Sequence, residues 1–248
     1  MKTSMGEGTE QQARRYYDDF SRSYERERGH GYHQMIDELE LDVTVPYARG
    51  ARVLELGCGT GLILARVAEV ADTAVGIDLS EGMARHARQR GLDVQIGSVC
   101  DLPFEDDEFD VTCSFKVLAH VPDIDAALRE AARVTRPGGH LLLEFYNPWS
   151  LRYLAKKVAG PQPIADDRSE ADIPTRWDSP RAIAKLLPPD VELLDFYGVR
   201  VLTPFASAHR IPWVAPTLRR AERHAARSPL RYFGGFLVAV LRKSERSR

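Results

Sequence analysis

The chain lacks the marks of a secreted, membrane-spanning or metal-knuckle protein. It has only three cysteines, Cys58, Cys100 and Cys113. These are too few and too scattered for a disulfide framework or a CxxC metal site. No apolar run approaches the ~18–20 residues that cross a bilayer, and residues 236–241 make a run of strand length only. The first residues have no apolar stretch of the signal-peptide kind. A reduced, cytoplasmic protein without a metal centre is expected. Net charge is also nearly absent, at −2 over 248 residues, but this balance hides a division. Residues 1–146 carry 16 Lys and Arg against 26 Asp and Glu, whereas residues 147–248 carry 18 against 10. The acidic half excludes a nucleic-acid surface there, and the basic half calls for a partner.

What is there is a rhythm of strands and helices. Residues 15–40 look helical and carry the aromatics Tyr16, Tyr17, Phe20, Tyr24 and Tyr32. Strands are predicted at 52–56, 73–77, 94–96, 109–115 and 140–145. Helices are predicted at 62–70 and 81–90, with Gly91 as C-cap, and after the N-cap Asp123, with Pro137-Gly138-Gly139 as the breaker. Strands alternating with helices of this length indicate βαβ units and a parallel sheet. Beyond Asn147 the rhythm changes. Two closing strands are predicted at 191–199 and 236–241. The long connection between them is read as a cap, because a compact domain rarely carries so long an ordinary loop.

The strongest local signal is Val53-Leu54-Glu55-Leu56-Gly57-Cys58-Gly59-Thr60-Gly61. A strand runs into three glycines and a helix follows, so backbone can turn sharply and a ligand can approach closely. Asp78 ends the next strand, 21 residues after Gly57. A carboxylate there can accept hydrogen bonds from both hydroxyls of a ribose. A nucleoside-containing cofactor follows. A dinucleotide also fits an acid at this distance, but its fingerprint is GxGxxG, and here Leu62 stands where the third glycine would be. Glu55 would oppose a pyrophosphate and would suit a ligand carrying cationic groups.

The motifs ELGCGTG, GIDLS, LPFEDDEFD, VLAHV and RPGG, in this order, resemble those of the class I S-adenosylmethionine-dependent methyltransferases. They are most similar to the small-molecule branch that includes the ubiquinone and menaquinone C-methyltransferases. The resemblance implies an α/β, Rossmann-like fold. Its seven-stranded sheet would be parallel except for the last strand, with helices on both faces. One domain, 1–248, would hold an N-terminal lid (15–40), a cofactor-binding core (51–147) and cap segments (148–180 and 201–231). It implies S-adenosylmethionine as cofactor. Gly57, Cys58, Gly59 and Gly61 would lie under its methionine part, Glu55 near its ammonium, and Asp78 on its ribose. Ser98 stands where the family usually has an acid facing the adenine, and the nearest acid is Asp101. Leu79, Met83, Val99 and Phe115 would complete the cofactor contacts, with Tyr24 reaching from the lid.

Methyl transfer needs alignment first, and a base only where the acceptor must lose a proton. His120, after the fourth strand, and His33, in the lid, are the candidates. For the substrate we single out Lys116 at the pocket mouth, Tyr146 and Asn147 at the end of the fifth strand, and Trp149, Arg152, Arg176 and Trp177 beyond it. A small-molecule acceptor, anionic or aromatic, is expected. Seven arginines lie between 200 and 231, three of them, Arg220, Arg223 and Arg227, on one helical face. Such a stretch can be a solvated face, meet an anionic substrate, or rest on an anionic lipid surface, the last not favoured. It offers no aromatic platform for RNA. Oligomeric state is not legible.

Overall fold

The computed structural model describes residues 3–21, 24, 31–159, 163–165, 168–169, 175–203 and 214–245. In chain order its elements are α1 (Thr3–Phe20), α2 (Gly31–Ala48), β1 (Arg52–Leu56), α3 (Leu62–Ala68), β2 (Thr73–Asp78), α4 (Glu81–Gln89), β3 (Asp93–Ile96), β4 (Phe109–Ser114), α5 (Ile124–Val134), β5 (Thr135–Tyr146), α6 (Leu151–Ala159), β6 (Pro163–Ala165), β7 (Arg168–Ser169), α7 (Pro180–Leu186), β8 (Val191–Val199), α8 (Val214–Ala225) and β9 (Phe236–Lys243). Seven strands form one sheet in the order β3-β2-β1-β4-β5-β9-β8, and β6 and β7 form a separate ribbon. β9 runs antiparallel to both neighbours, while the pairings from β3 to β5 are parallel. The expected pattern, parallel except for the last strand, is found.

The two-residue period of a strand divides its side chains between two cores. Val53, Val111, Leu142, Val238 and Val240 pack on one side against Met35, Ile36 and Leu39 of α2 and Ile63 and Val67 of α3. Leu54, Leu56, Leu141, Leu143 and Leu237 pack on the other against Leu128 of α5 and Ile183 of α7. Covered on both faces, such strands read as continuous apolar runs. The predicted N-cap holds: the Asp123 carboxylate accepts from the Ala126 N–H at 3.0 Å. At the start of α4, Ser80 Oγ accepts from the Met83 N–H at 3.1 Å. No helix among the described residues is long and apolar enough to cross a membrane.

Two sequence expectations need correction. The helical segment read over 15–40 is two helices, and the second continues through Pro46 to Ala48 because its apolar face belongs to the core. The fifth strand starts at Thr135, not His140. Pro137-Gly138-Gly139 is a bulge within it, across which pairing with β4 resumes at Val111 and His140. A Cβ at Gly139 would lie 2.8 Å from the carbonyl oxygens of both Arg136 and Asp110, so this crossing needs glycine. In α8 the buried residues are Ala215, Glu222 and Ala225.

Candidate active site

The loop after β1 is held open by backbone chemistry. Gly57, Gly59 and Gly61 have φ of 67°, 55° and 80°, all left-handed, a region that glycine enters at no steric cost. A Cβ at Gly57 would strike Val117, and one at Gly61 would strike Leu92, both at 2.4 Å. At Gly59 nothing lies within 4 Å, so its open side faces free space. The N–H groups of Gly57 and Cys58 donate to the Ile77 carbonyl at 2.7 and 3.1 Å, tying the loop to the end of β2. There Asp78 is buried, and its two oxygens accept from the N–H groups of Gly59 at 2.7 Å and Ser80 at 2.8 Å. Burial raises its pKa, and these two bonds oppose the shift.

Around the same loop lies a knot of buried acids. Glu55, Glu40 and Glu144 are all buried. Lys116, whose own backbone is left-handed at φ 61°, bonds Asp37 at 3.1 Å and Glu40 at 2.8 Å through its ammonium, while its N–H donates to Glu144 at 3.0 Å. Lys116 was expected to face the acceptor, but it stands on the wall of the loop pocket with its charge engaged by α2. Burial, and then the charge of Glu40, raise the Glu144 pKa well above its ordinary value. Glu55 is pushed up to about 8, first by burial and then by the charge of Glu40, against the pull of Lys116. Its Oε2 has no hydrogen-bond partner, nor has Thr60 Oγ1. Burial beside Glu55 also raises the Cys58 thiol, which keeps it protonated.

The N-terminal helix is latched beside this loop. Asp18 of α1 accepts from the Ser80 hydroxyl at 2.6 Å and from the Gly82 N–H at 2.9 Å, at the start of α4. This latch brings Tyr17 near Asp78, Tyr146 and Tyr24, and burial holds its phenol above the usual range. Tyr24, Asp37, Glu55, Gly59, Phe115 and Lys116 are among the residues lining a space of about 40 Å³. The space is partly open, and both the glycine loop and Glu55 are on its lining. On the far side of Asp78, Met83 is buried on α4 and Leu79 is half-buried. Ser98 makes a local bridge with Asp101 and accepts from the Cys100 N–H at 3.2 Å. Asp101 is exposed, and Val99 packs on the core beneath β1.

The acceptor candidates divide. His120 ends a short 3-10 turn after β4, with Nε2 3.5 Å from the Tyr146 hydroxyl and the two rings edge to face. Burial pushes the Tyr146 phenol up to about 12. Tyr146 also meets Trp177 and Phe236, and the Arg152 guanidinium lies over all three rings at 4.6, 5.1 and 4.7 Å. Two other candidates, Asn147 and Arg176, have internal partners. Asn147 is fully buried; its amide donates to the carbonyls of Tyr232 and Gly234, and its oxygen accepts from the Trp149 N–H. Arg176 makes a two-bond ion pair with Asp178 at 2.8 and 2.9 Å. Trp149 is 47% exposed, outside the ring cluster. The polar character of Asn147 and Arg176 suits a ligand equally well in sequence, and the fold engages it with internal partners. His33, on the first turn of α2, packs edge-on against Tyr32.

The basic stretch finds its partner inside the chain. Arg223 pairs with Asp42 at 2.7 Å and Glu38 at 3.2 Å, Arg219 approaches Glu38 at 3.8 Å, and Arg227 donates to the Asp42 carbonyl. The positive half therefore answers the negative half across α2 and α8. An open cleft of about 720 Å³ lies between these helices. It is larger than the pocket at the glycine loop, but its lining belongs to this ion-paired seam. Residues 204–213 of the cap, with Arg210, lie outside the described residues, as do 160–162, 166–167 and 170–174. Sequence reasoning missed Glu40, Glu144, Asp18 and Thr60. For Glu144 a signal existed, a lone acid in the apolar run Leu141-Leu142-Leu143-Glu144-Phe145.

An unpartnered carboxylate oxygen, an unpartnered hydroxyl and an open glycine together fit a ligand with cationic and hydroxyl groups. Residues 54–143 match the family model of the methyltransferase domain. A demethylmenaquinone methyltransferase of Mycobacterium marinum is 45% identical over 103 residues, covering 41% of this chain and 44% of that protein. A ubiquinone biosynthesis O-methyltransferase of Xanthomonas oryzae pv. oryzae is 37% identical over 123 residues, 47% of this chain and 51% of that one. The matched stretch thus spans about half the length of these relatives, or less. A solved structure from Thermotoga maritima, described as an S-adenosylmethionine-dependent methyltransferase and possible histamine N-methyltransferase, covers 96% of this chain and all of that one with a TM-score of 0.64. At 18% identity it shows the fold alone. Residues 54–143 thus match the methyltransferase domain, and the described residues share the fold of solved S-adenosylmethionine-dependent methyltransferases.

Proposed function

We propose that the chain transfers a methyl group from S-adenosylmethionine to a small organic acceptor, anionic or aromatic, by direct displacement. One observation carries this reading: a fully buried Glu55 carboxyl with an unpartnered oxygen, two residues before three left-handed glycines and beside the strand that ends in Asp78. Asp78 has lone pairs left for the two ribose hydroxyls. Glu55 would face the ammonium, with Gly57, Cys58, Gly59 and Gly61 beneath the methionine part and Phe115 and Tyr24 beside it. Leu79, Met83, Ser98 and Val99 would flank the adenine.

When bound, the cofactor supplies an electrophilic methyl carbon on a positively charged sulfur. The rest falls to the chain: excluding water and holding the acceptor in line. Tyr17 and Tyr24 provide the closing wall. Tyr146 and Trp177 give the acceptor aromatic surface. His120, within 3.5 Å of the Tyr146 hydroxyl, would accept the proton of a hydroxyl or an activated carbon. The quinone methyltransferases among the relatives favour a phenolic acceptor. The free cysteines suit a reducing, cytoplasmic setting.

The test uses S-adenosylmethionine labelled in its methyl group with a panel of phenols, phenolic acids and amines. Label should move to one acceptor class, with one S-adenosylhomocysteine released per transfer. A chain that binds S-adenosylhomocysteine but methylates nothing would be a binding module on this fold. A chain that binds none would overturn the reading entirely.

A further inference from the structure

Lys116 follows β4 and stands on the wall of the glycine-loop pocket, with Glu55, Asp37 and Tyr24. Two of its features are costly. Its backbone is left-handed, with φ 61°, a region that residues other than glycine enter against steric resistance. Its side chain is only 20% exposed, and drawing a charge out of water offsets much of what an ion pair returns. Holding α2 in place explains neither cost. That helix is already docked by Met35, Ile36 and Leu39, which are buried in the core against the sheet. Strained backbone of this kind gathers at functional sites.

What the two features achieve is an arrangement of charge. The ammonium bonds Asp37 at 3.1 Å and Glu40 at 2.8 Å, while Glu38 and Asp42 of the same helix pair with Arg223 of α8. The left-handed turn lets the Lys116 N–H donate to the Glu144 Oε1 at 3.0 Å. One residue thus engages acids of α2 and of β5. Two acids lie on the pocket wall itself, Asp37 and Glu55. Asp37 is bonded to the ammonium, whereas Glu55 is buried with its Oε2 lacking a hydrogen-bond partner. We propose that Lys116 is a positioning residue for the cofactor: by engaging Asp37, Glu40 and Glu144 it directs the ammonium of the methionine part to Glu55. The proposal rests on the methyltransferase reading for the identity of that ligand. Glu55 is faced by Glu40 and Asp37 from α2, by Asp78 from β2, by Lys116, and by the thiols of Cys58 and Cys113. Of the charged groups, Lys116 favours the ionised carboxylate that an ammonium needs, and the three acids oppose it. Removing Lys116 therefore keeps the proton on Glu55 to higher pH.

The test compares S-adenosylhomocysteine with methylthioadenosine, which has the nucleoside and the thioether but no amino-acid part, by calorimetry between about pH 6 and pH 8.5. The wild type should favour S-adenosylhomocysteine by about ten-fold or more, and the preference should grow as pH rises and Glu55 ionises. In Lys116→Met the preference at neutral pH should fall several-fold, methylthioadenosine affinity should stay the same, and the midpoint of the pH dependence should move up. Asp37→Asn keeps the lysine and removes an acid that opposes ionisation, so its midpoint should move down; it decides the matter if Lys116→Met does not fold. A lysine that only braces the wall predicts instead that both ligands weaken together at every pH. That parallel loss, a preference untouched by Lys116→Met, or a midpoint that stays put in the variants would overturn the positioning role. Equal affinity of the wild type for the two ligands would overturn it too and leave the methyltransferase reading standing. A wild type that binds neither ligand would overturn the methyltransferase reading and the positioning role with it.

Discussion

Replacing Glu55 by glutamine should stabilise the unliganded protein at alkaline pH and weaken its hold on the cofactor. The Glu55 carboxyl is pushed from the ordinary 4.5 up to about 8 by burial and by Glu40. Between these pH values the folded chain keeps a proton that the unfolded chain has released. Stability therefore falls as pH rises from about 4.5 to about 8. The slope is at most about 1.4 kcal/mol per pH unit, which makes roughly 5 kcal/mol across the window. Lys116, Asp37 and Asp78 also face the group, so the share seen in one variant is a few kcal/mol. Glutamine keeps the shape and cannot ionise. Near pH 5 the two proteins should melt together, and at pH 8 the variant should melt higher by roughly 10 °C. A cationic ligand group beside Glu55 favours its ionised form, so S-adenosylhomocysteine binding near pH 7 should release a proton. Calorimetry in buffers of different ionisation enthalpy counts it. Melting curves that stay parallel from pH 5 to 8, or a variant less stable at pH 8, would refute the reasoning.

Asp18→Ala removes two bonds at the start of α4. It should cost about 1–2 kcal/mol and speed the release of S-adenosylhomocysteine in stopped-flow fluorescence; an unchanged release rate would mean that α1 does not gate the pocket. Glu222→Ala strips the partner from two N–H groups and a hydroxyl in a buried place. Urea unfolding should register a loss of about 3 kcal/mol or more. Arg223→Ala, on the same helix but half-exposed in its ion pairs, should cost no more than about 1 kcal/mol, and a larger loss would show that the seam between α2 and α8 holds the fold.

The central sheet was legible because its physics is local. Period-two apolar runs, helices of regular spacing and glycines before a helix each announce themselves within a dozen residues. The left-handed glycines of the loop and the acid ending β2 follow the same logic. What the sequence concealed depends on partners far along the chain. Arg223 looks like a solvated charge until α2, 181 residues earlier, supplies Asp42. Glu222 looks like the one acid of a basic face, but it caps the loop after β8 from the buried side. Asn147 and Arg176 have the chemistry of ligand contacts, which the fold spends on the Tyr232–Gly234 backbone and on Asp178. The strand across Pro137-Gly138-Gly139 was hidden because a breaker tripeptide can also be a bulge when a neighbouring strand holds both sides. The left-handed backbone of Arg200 was hidden, since it exists only after β8 and β9 have paired.

The account rests most directly on a nucleoside ligand held between the glycine loop and Asp78. Calorimetric titration of S-adenosylhomocysteine, NAD and NADP into the wild-type protein and Asp78→Ala tests this. S-adenosylhomocysteine should bind the wild type far more tightly than either dinucleotide. Its affinity should fall ten-fold or more in Asp78→Ala, since each charge-assisted bond to the ribose contributes roughly 1.5–3 kcal/mol. Tighter binding of NAD or NADP, or an affinity untouched by Asp78→Ala, would contradict it.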